Sequence, residues 1–272
     1  MKTLTRYLPK LAIGAVSLAA FCYGPVAQLP NYHDFADQTQ TFGIPHAADV
    51  ISNLGFALVA LWGWWRMALS NGQAALGKAW PGYRLFLIGL FLTAFGSAWY
   101  HLAPDNARLV WDRLPIALAC AGLLAGVWGE THRRNSDCMS WYLGAFGVFS
   151  VAWWYASEIS SPGDLRLYLL LQGAPFILVP LWQWLYGSAR GDRWGFGLAL
   201  LLYAAAKFAE LYDHQIGHAL GGLTGHTLKH LLATAAAGVI VFCLTRRQGR
   251  VRPSAVKMPA GRVGYVAGHA NR

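Results

Sequence analysis

Apolar stretches of about 16 to 22 residues, each long enough to cross roughly 30 Å of hydrocarbon as a helix, recur along almost the whole chain. Eight are distinguished, at 11–26, 50–69, 83–102, 109–129, 141–157, 165–186, 194–212 and 226–244. Hydrocarbon cannot hydrogen-bond a bare backbone group, and the runs lack the apolar/polar alternation of barrel strands, so all are read as helices. Composition agrees, with 56% hydrophobic residues and 12% charged, where an ordinary soluble domain carries about 25% charged residues. The expected fold class is all-α: a polytopic membrane protein with a seven-helix transmembrane core plus one N-terminal hydrophobic helix.

Lys and Arg number 22 against 12 Asp and Glu, a formal net charge of +10. In a soluble chain that excess suggests nucleic acid, but no basic stripe interleaved with aromatics sits on a polar element, and no nucleic acid partner is expected. Topology explains the charge better, because positive residues collect on the cytoplasmic side. With the N-terminus inside, the inside segments hold Lys2, Arg6 and Lys10; Arg66, Lys78 and Arg84; Arg133 and Arg134; Arg190 and Arg193; and the tail from Arg246. The outside turns are poor in them, and both ends fall inside. The chain divides into 1–30, an N-terminal anchor or signal-like helix; 31–246, the core; and 247–272, a basic cytoplasmic tail rich in Gly, Pro and Arg that is expected to be disordered. The four cysteines show neither zinc-knuckle spacing nor a disulfide framework.

An ionisable residue in a spanning helix needs a partner or a function, and several gather at one depth. The third span ends outside with Ser97 and His101, the turn Ala103-Pro104-Asp105-Asn106 reverses the chain, and the fourth descends past Asp112. The eighth begins at the same face with His226 and His230. Residues four apart share a helix face, so His226 and His230 can present two imidazoles to one ion. Zinc accepts such ligands, and a catalytic site commonly supplies three from the protein; His101, His226 and His230 would make that set. The residues between the two helical histidines include no Glu, so a base must come from elsewhere, and Asp112 is the nearest candidate. Plainer readings stand beside each of these. A helical HxxxH pair is more often a packing or surface pair, His101 could cap carbonyls, and Asp112 could pair with Arg108 or Arg113. Ser97 could serve close helix approach, and His214/His218 form a rival pair that spacing alone does not exclude. Lys207 and Glu210, three apart, are read as an internal ion pair.

Ser97-x-x-x-His101, Asp112 eleven positions further on, and His226-x-x-x-His230 resemble the alkaline ceramidase family, within the wider superfamily that includes adiponectin-receptor-like proteins. Ile51-Ser52-Asn53-Leu54, after an acidic loop, looks like that family's first core helix. The resemblance covers roughly residues 34–244. It implies that His101, His226 and His230 hold zinc in preference to His214/His218, and that Asp112 and Ser97 act beside it. The implied activity is hydrolysis of the amide bond of ceramide or a related N-acyl lipid. There Asp112 would take the proton of water and return it to the leaving amine, and zinc with the Ser97 hydroxyl would stabilise the oxyanion. It also implies a calcium site from Asp34, Phe35, Asp37 and Thr39, although His46 stands where the family has a Glu ligand and Thr39 where it has an Asn, with Asp49 as the substitute acid. The implied partners are a membrane lipid substrate and the bilayer itself, in a multi-pass protein of the bacterial inner membrane with a cytoplasmic C-terminus. A competing reading is a receptor-like or structural membrane protein whose closed zinc site never turns over. Transport is weaker, since no broken helices stand in corresponding halves.

Overall fold

The apolar runs are helices in the computed structural model, which describes residues 5–69, 72–160 and 162–247. In chain order they are α1 (Leu8–Tyr23), a hairpin of β1 (Gln40–Thr41) and β2 (Ile44–Pro45), α2 (Ala47–Ser52), α3 (Leu54–Leu69), α4 (Gly72–Leu76), α5 (Trp80–Leu102), α6 (Asn106–His132), α7 (Asp137–Ser160), α8 (Arg166–Leu185), α9 (Arg190–Leu211), α10 (Asp213–Leu220) and α11 (Gly225–Arg246). In the hairpin Gln40 faces Pro45 and Thr41 faces Ile44, antiparallel. The expected disordered tail lies, from residue 248 onward, outside the described residues.

Six stretches among the described residues are long and apolar enough to cross a membrane: Ala47–Leu69, Ala74–Leu102, Asn106–His132, Arg166–Leu185, Arg190–Leu211 and Gly225–Arg246. The chain is thus polytopic and all-helical in its spans. Two expected spans fall outside this set, for different reasons. Helix α1 has 16 residues, which at a rise of about 1.5 Å each cover roughly 24 Å. Helix α7 has 24 residues, but Trp141, Tyr142, Trp153, Trp154 and Tyr155, with four serines, replace much of the aliphatic content, and such aromatics favour the interface over the hydrocarbon centre. Large side chains such as Leu61, Trp65, Phe95, Leu201 and Phe242 are exposed on the outside of the bundle, as a lipid-facing surface requires.

Helix α6 occupies the middle. Of its most apolar window 67% is buried, and it packs against α5, α7 and α8. Its closest partner is α5, because glycines let the two backbones touch. Gly82, Gly89 and Gly96 recur every seven residues on one face of α5, and a methyl group placed on them would lie 2.1 Å from Gly126 N, 2.4 Å from Ala119 N and 2.0 Å from Trp111 O respectively. Such small-residue contacts replace the hydrophobic drive that lipid removes. Pro115, one turn beyond Trp111, has no N–H to offer that carbonyl, so the approach of Gly96 occurs where α6 is already freed of one internal bond. The contact fixes Ser97 and His101 relative to Asp112. Helix α11 packs against α9 and α3, and α1 against α8.

Candidate metal centre

Three imidazoles converge at the end of the bundle where α5 finishes and α11 begins. His101 lies in the last turn of α5, and His226 and His230 lie in the first two turns of α11. Each offers a ligand nitrogen, and the three nitrogens all lie within 4.8 Å of one another. Ring centroids are 4.7 Å apart for His101 and His226, 5.2 Å for His101 and His230, and 4.9 Å for the helical pair. All three residues are buried. Among the described residues this is the one such group of His, Cys, Asp or Glu, and it can hold a metal ion.

The start of α11 is placed by several independent contacts. Thr224 caps the helix, its hydroxyl oxygen accepting from Thr227 N at 3.1 Å. Gly225 sits where a Cβ would be 2.3 Å from Ala209 O, so no other residue allows α11 to approach α9 this closely. Asp213, at the head of α10, accepts from His226 N at 2.7 Å through Oδ1 and from Ala36 N at 2.9 Å through Oδ2. The Phe35 ring then covers the centre from outside, 4.6 Å from the rings of both His101 and His226.

The buried polar atoms suit a cation. His101 Nδ1 and His230 Nε2 have no hydrogen-bond partner among the described residues. Ser52 Oγ is 2.9 Å from Asp49 O and 2.8 Å from His230 Nδ1. A hydroxyl has one proton and a carbonyl can only accept, so Ser52 donates to Asp49 and receives from Nδ1–H. That assignment leaves the Nε2 lone pair of His230 facing the centre, in the arrangement by which an outer hydrogen bond fixes a ligating imidazole. At His226 the geometry is different: Lys229 Nζ lies 2.8 Å from Nε2. An ammonium and a metal ion cannot share one lone pair, so an ion bound here would meet His226 through Nδ1 unless Lys229 turned away. The donor set, three neutral nitrogens and no sulfur, is compatible with zinc.

Ser97, Asp112 and His230 line one cavity between the helices. Its polar end carries Tyr32, Lys207, Glu210 and Lys229; its depth is walled by residues such as Leu90, Leu123, Ala237 and Ile240. Asp112 is buried, and its Oδ1 has no hydrogen-bond partner among the described residues. The two arginines considered as its partners are engaged elsewhere. Arg108 pairs with Asp105 at 3.7 Å and lies over Trp99. Arg113 is buried with its guanidinium over the rings of Trp154, Tyr32 and Tyr168, at 3.9, 5.0 and 5.5 Å.

Of the residues expected to hold calcium, Asp37, Thr39 and Asp49 are joined by hydrogen bonds, while Asp34 faces another partner. Asp37 uses Oδ1 for Thr39 N and Oγ1 and Oδ2 for Asp49 N. Burial pushes the Asp37 carboxyl up, but these donors outweigh it and hold the group below its ordinary value. Asp49 accepts from Thr227 Oγ1 at 2.6 Å and so ties α2 to α11. Asp34 points outward to His214, 3.4 Å away, and the Phe35 ring is used on the histidines. Asp37 and Asp49 are thus adjacent, each already accepting hydrogen bonds, and Asp34 stands apart from them beside His214. His214 and His218 lie on α10, with His218 exposed, and do not form a metal group.

The expected ion pair of Lys207 and Glu210 is present at 2.5 Å, with Lys229 as a third member. Ser52, Asp213 and Thr227 are contributors that sequence reasoning did not assign to the centre; their partners lie up to 178 positions away, and only the fold joins them. Comparison with family models, curated proteins and solved structures finds no match to this chain.

Proposed function

We propose that the protein is a zinc-dependent membrane hydrolase that cleaves the amide bond of ceramide or a related N-acyl lipid, with a seven-helix core running from α2 to α11 and α1 added outside it. One observation carries this reading: three buried imidazoles converge, and one of them, His230, lines an apolar cavity together with Ser97 and Asp112. The cavity follows α11 from His230 to Ile240, roughly 15 Å of helix, a length and polarity suited to a lipid chain. His101, His226 and His230 would hold the ion, which supplies Lewis acidity, polarising a carbonyl and bringing the pKa of water towards 7. Asp112, buried and with Oδ1 unpartnered among the described residues, is suited to accept the proton of the attacking water and return it to the departing nitrogen. The Ser97 hydroxyl is suited to donate to the oxygen on which charge develops.

The competing reading, a closed structural zinc, calls for four protein ligands. The group contains three, and Asp112, which lines the same cavity as His230 with its Oδ1 unpartnered among the described residues, favours turnover. The test is mass-spectrometric detection of fatty acid and free amine after incubating detergent-purified, zinc-loaded protein with ceramide and with other lipid amides. Release from at least one amide, abolished in Asp112→Asn, supports the proposal; no release from any sinks it.

A further inference from the structure

The charges at the mouth of the cavity exceed what amide hydrolysis uses. Lys207 on α9 and Lys229 on α11 both bond the carboxylate of Glu210, at 2.5 and 2.9 Å, and Tyr32 OH reaches the same carboxylate at 3.5 Å. All four residues line the cavity together with Ser97, Asp112 and His230. Two ammonium groups on one carboxylate leave one positive charge over. Asp112 lines the same cavity but makes no direct ion pair with either lysine among the described residues. Two lysines that share one directly bonded carboxylate inside a membrane bundle are costly and mark a functional contact. Lys207 is the open one of the set: its side chain keeps 41% of its surface, against 12% for Lys229 and 12% for Glu210.

We infer that the Lys207 and Lys229 ammonium groups recognise an anionic group on the amine side of the scissile amide. The preferred substrate is then an N-acyl amino acid, or a like conjugate with a carboxylate one or two atoms from the amide nitrogen, over a neutral amide. This rests on the hydrolase reading. The assignment to the amine side follows from the shape of the cavity. The acyl chain belongs in the depth walled by Leu90, Leu123 and Ile240, where a charge would be unpaired, whereas the lysines stand at the polar end with Ser97 and Asp112. Hydrolysis breaks the C–N bond; the water oxygen goes to the acyl carbon and a proton to nitrogen, giving a fatty acid and a free amino acid.

The test uses full-length protein in detergent and a matched pair of probes, N-dodecanoylglycine and N-dodecanoylethanolamine. Binding is measured first on zinc-free protein by calorimetry. We expect the glycine conjugate to bind about 10-fold more tightly, as a charge-assisted contact provides. That ratio should fall to about 1 in Lys207→Met, which leaves Glu210 paired with Lys229, and persist in Lys207→Arg. The zinc-loaded protein should show the same order in kcat/KM. Equal or tighter binding of the ethanolamide by the unmodified protein, or a preference that survives in Lys207→Met, overturns the inference. Hydrolysis of both probes at equal kcat/KM removes the anion selectivity and leaves the hydrolase standing. A binding preference with no hydrolysis of either probe removes the hydrolase and keeps the anion site.

Discussion

The Ser52 hydroxyl lies 2.8 Å from Nδ1 of His230, across 178 positions of sequence. Since Ser52 also donates to the Asp49 carbonyl, it holds the imidazole in one tautomer and turns Nε2 towards the other histidines. Removing such an outer partner commonly costs 10- to 100-fold in metal affinity. Ser52→Ala is therefore expected to weaken zinc binding by about 10-fold or more with helicity unchanged, measured by competition with a chromophoric chelator. Unchanged affinity would show that packing alone orients the ring.

Asp112 and His226 should separate chemistry from binding. In Asp112→Asn we expect a full complement of zinc with turnover reduced by about 100-fold or more, the scale of a lost general base. In His226→Ala both zinc and turnover should be lost. Metal analysis beside product assays reads the two outcomes, and retained hydrolysis in Asp112→Asn would contradict the assignment of the base.

Gly96 sets the distance between the helices that carry Ser97, His101 and Asp112. A methyl group there would fall 2.0 Å from Trp111 O, a backbone atom that cannot move alone. Gly96→Ala should destabilise by about 1–3 kcal/mol and lower turnover further than zinc content. Thermal unfolding in detergent, metal content and activity measured on one preparation would test this; a variant with unaltered melting and activity would show that α5 and α6 can part without disturbing the centre.

Asp164, in the turn before α8, anchors the segment that follows α1. It accepts from Arg166 and Trp153 side chains and from Val26 N at 3.4 Å. The Arg166 hydrogen bond is the main reason its carboxyl is held down at about 2, against an ordinary 3.8. A depressed acid stabilises the folded state above its unfolded pKa and loses that contribution as pH falls through the folded value. The melting temperature should therefore drop between about pH 4 and pH 2 in part because of Asp164, and Asp164→Asn should lower it at neutral pH and flatten that part of the profile. A profile identical to that of the unmodified protein would exclude the anchor.

The spans were legible because lipid imposes a length and a polarity on any helix that crosses it, and α5, α6, α8, α9 and α11 follow the apolar runs within a few residues. The histidines were legible by shared depth: the turn at Pro104 returns α6 to the level of His101, and α11 starts at that level. The hydrogen bonds by which Asp37 ties its own loop to the head of α2 were not legible, because no pattern of acids reveals such local contacts. Nor was the support given by Ser52, Asp213 and Lys229, which arises where helices distant in sequence pack. Helix α7 fell short as a span because aromatic and hydroxyl side chains that look bulky and apolar in a run do not share the partitioning of Leu or Ile.

X-ray absorption at the zinc edge on detergent-purified full-length protein tests the convergence of His101, His226 and His230 most directly. We expect close to one zinc per chain with three imidazole nitrogens at about 2.0–2.1 Å, and loss of that signature in His230→Ala. Absence of zinc even after zinc is added back to the chelator-treated protein, or a first shell dominated by sulfur, would contradict the account.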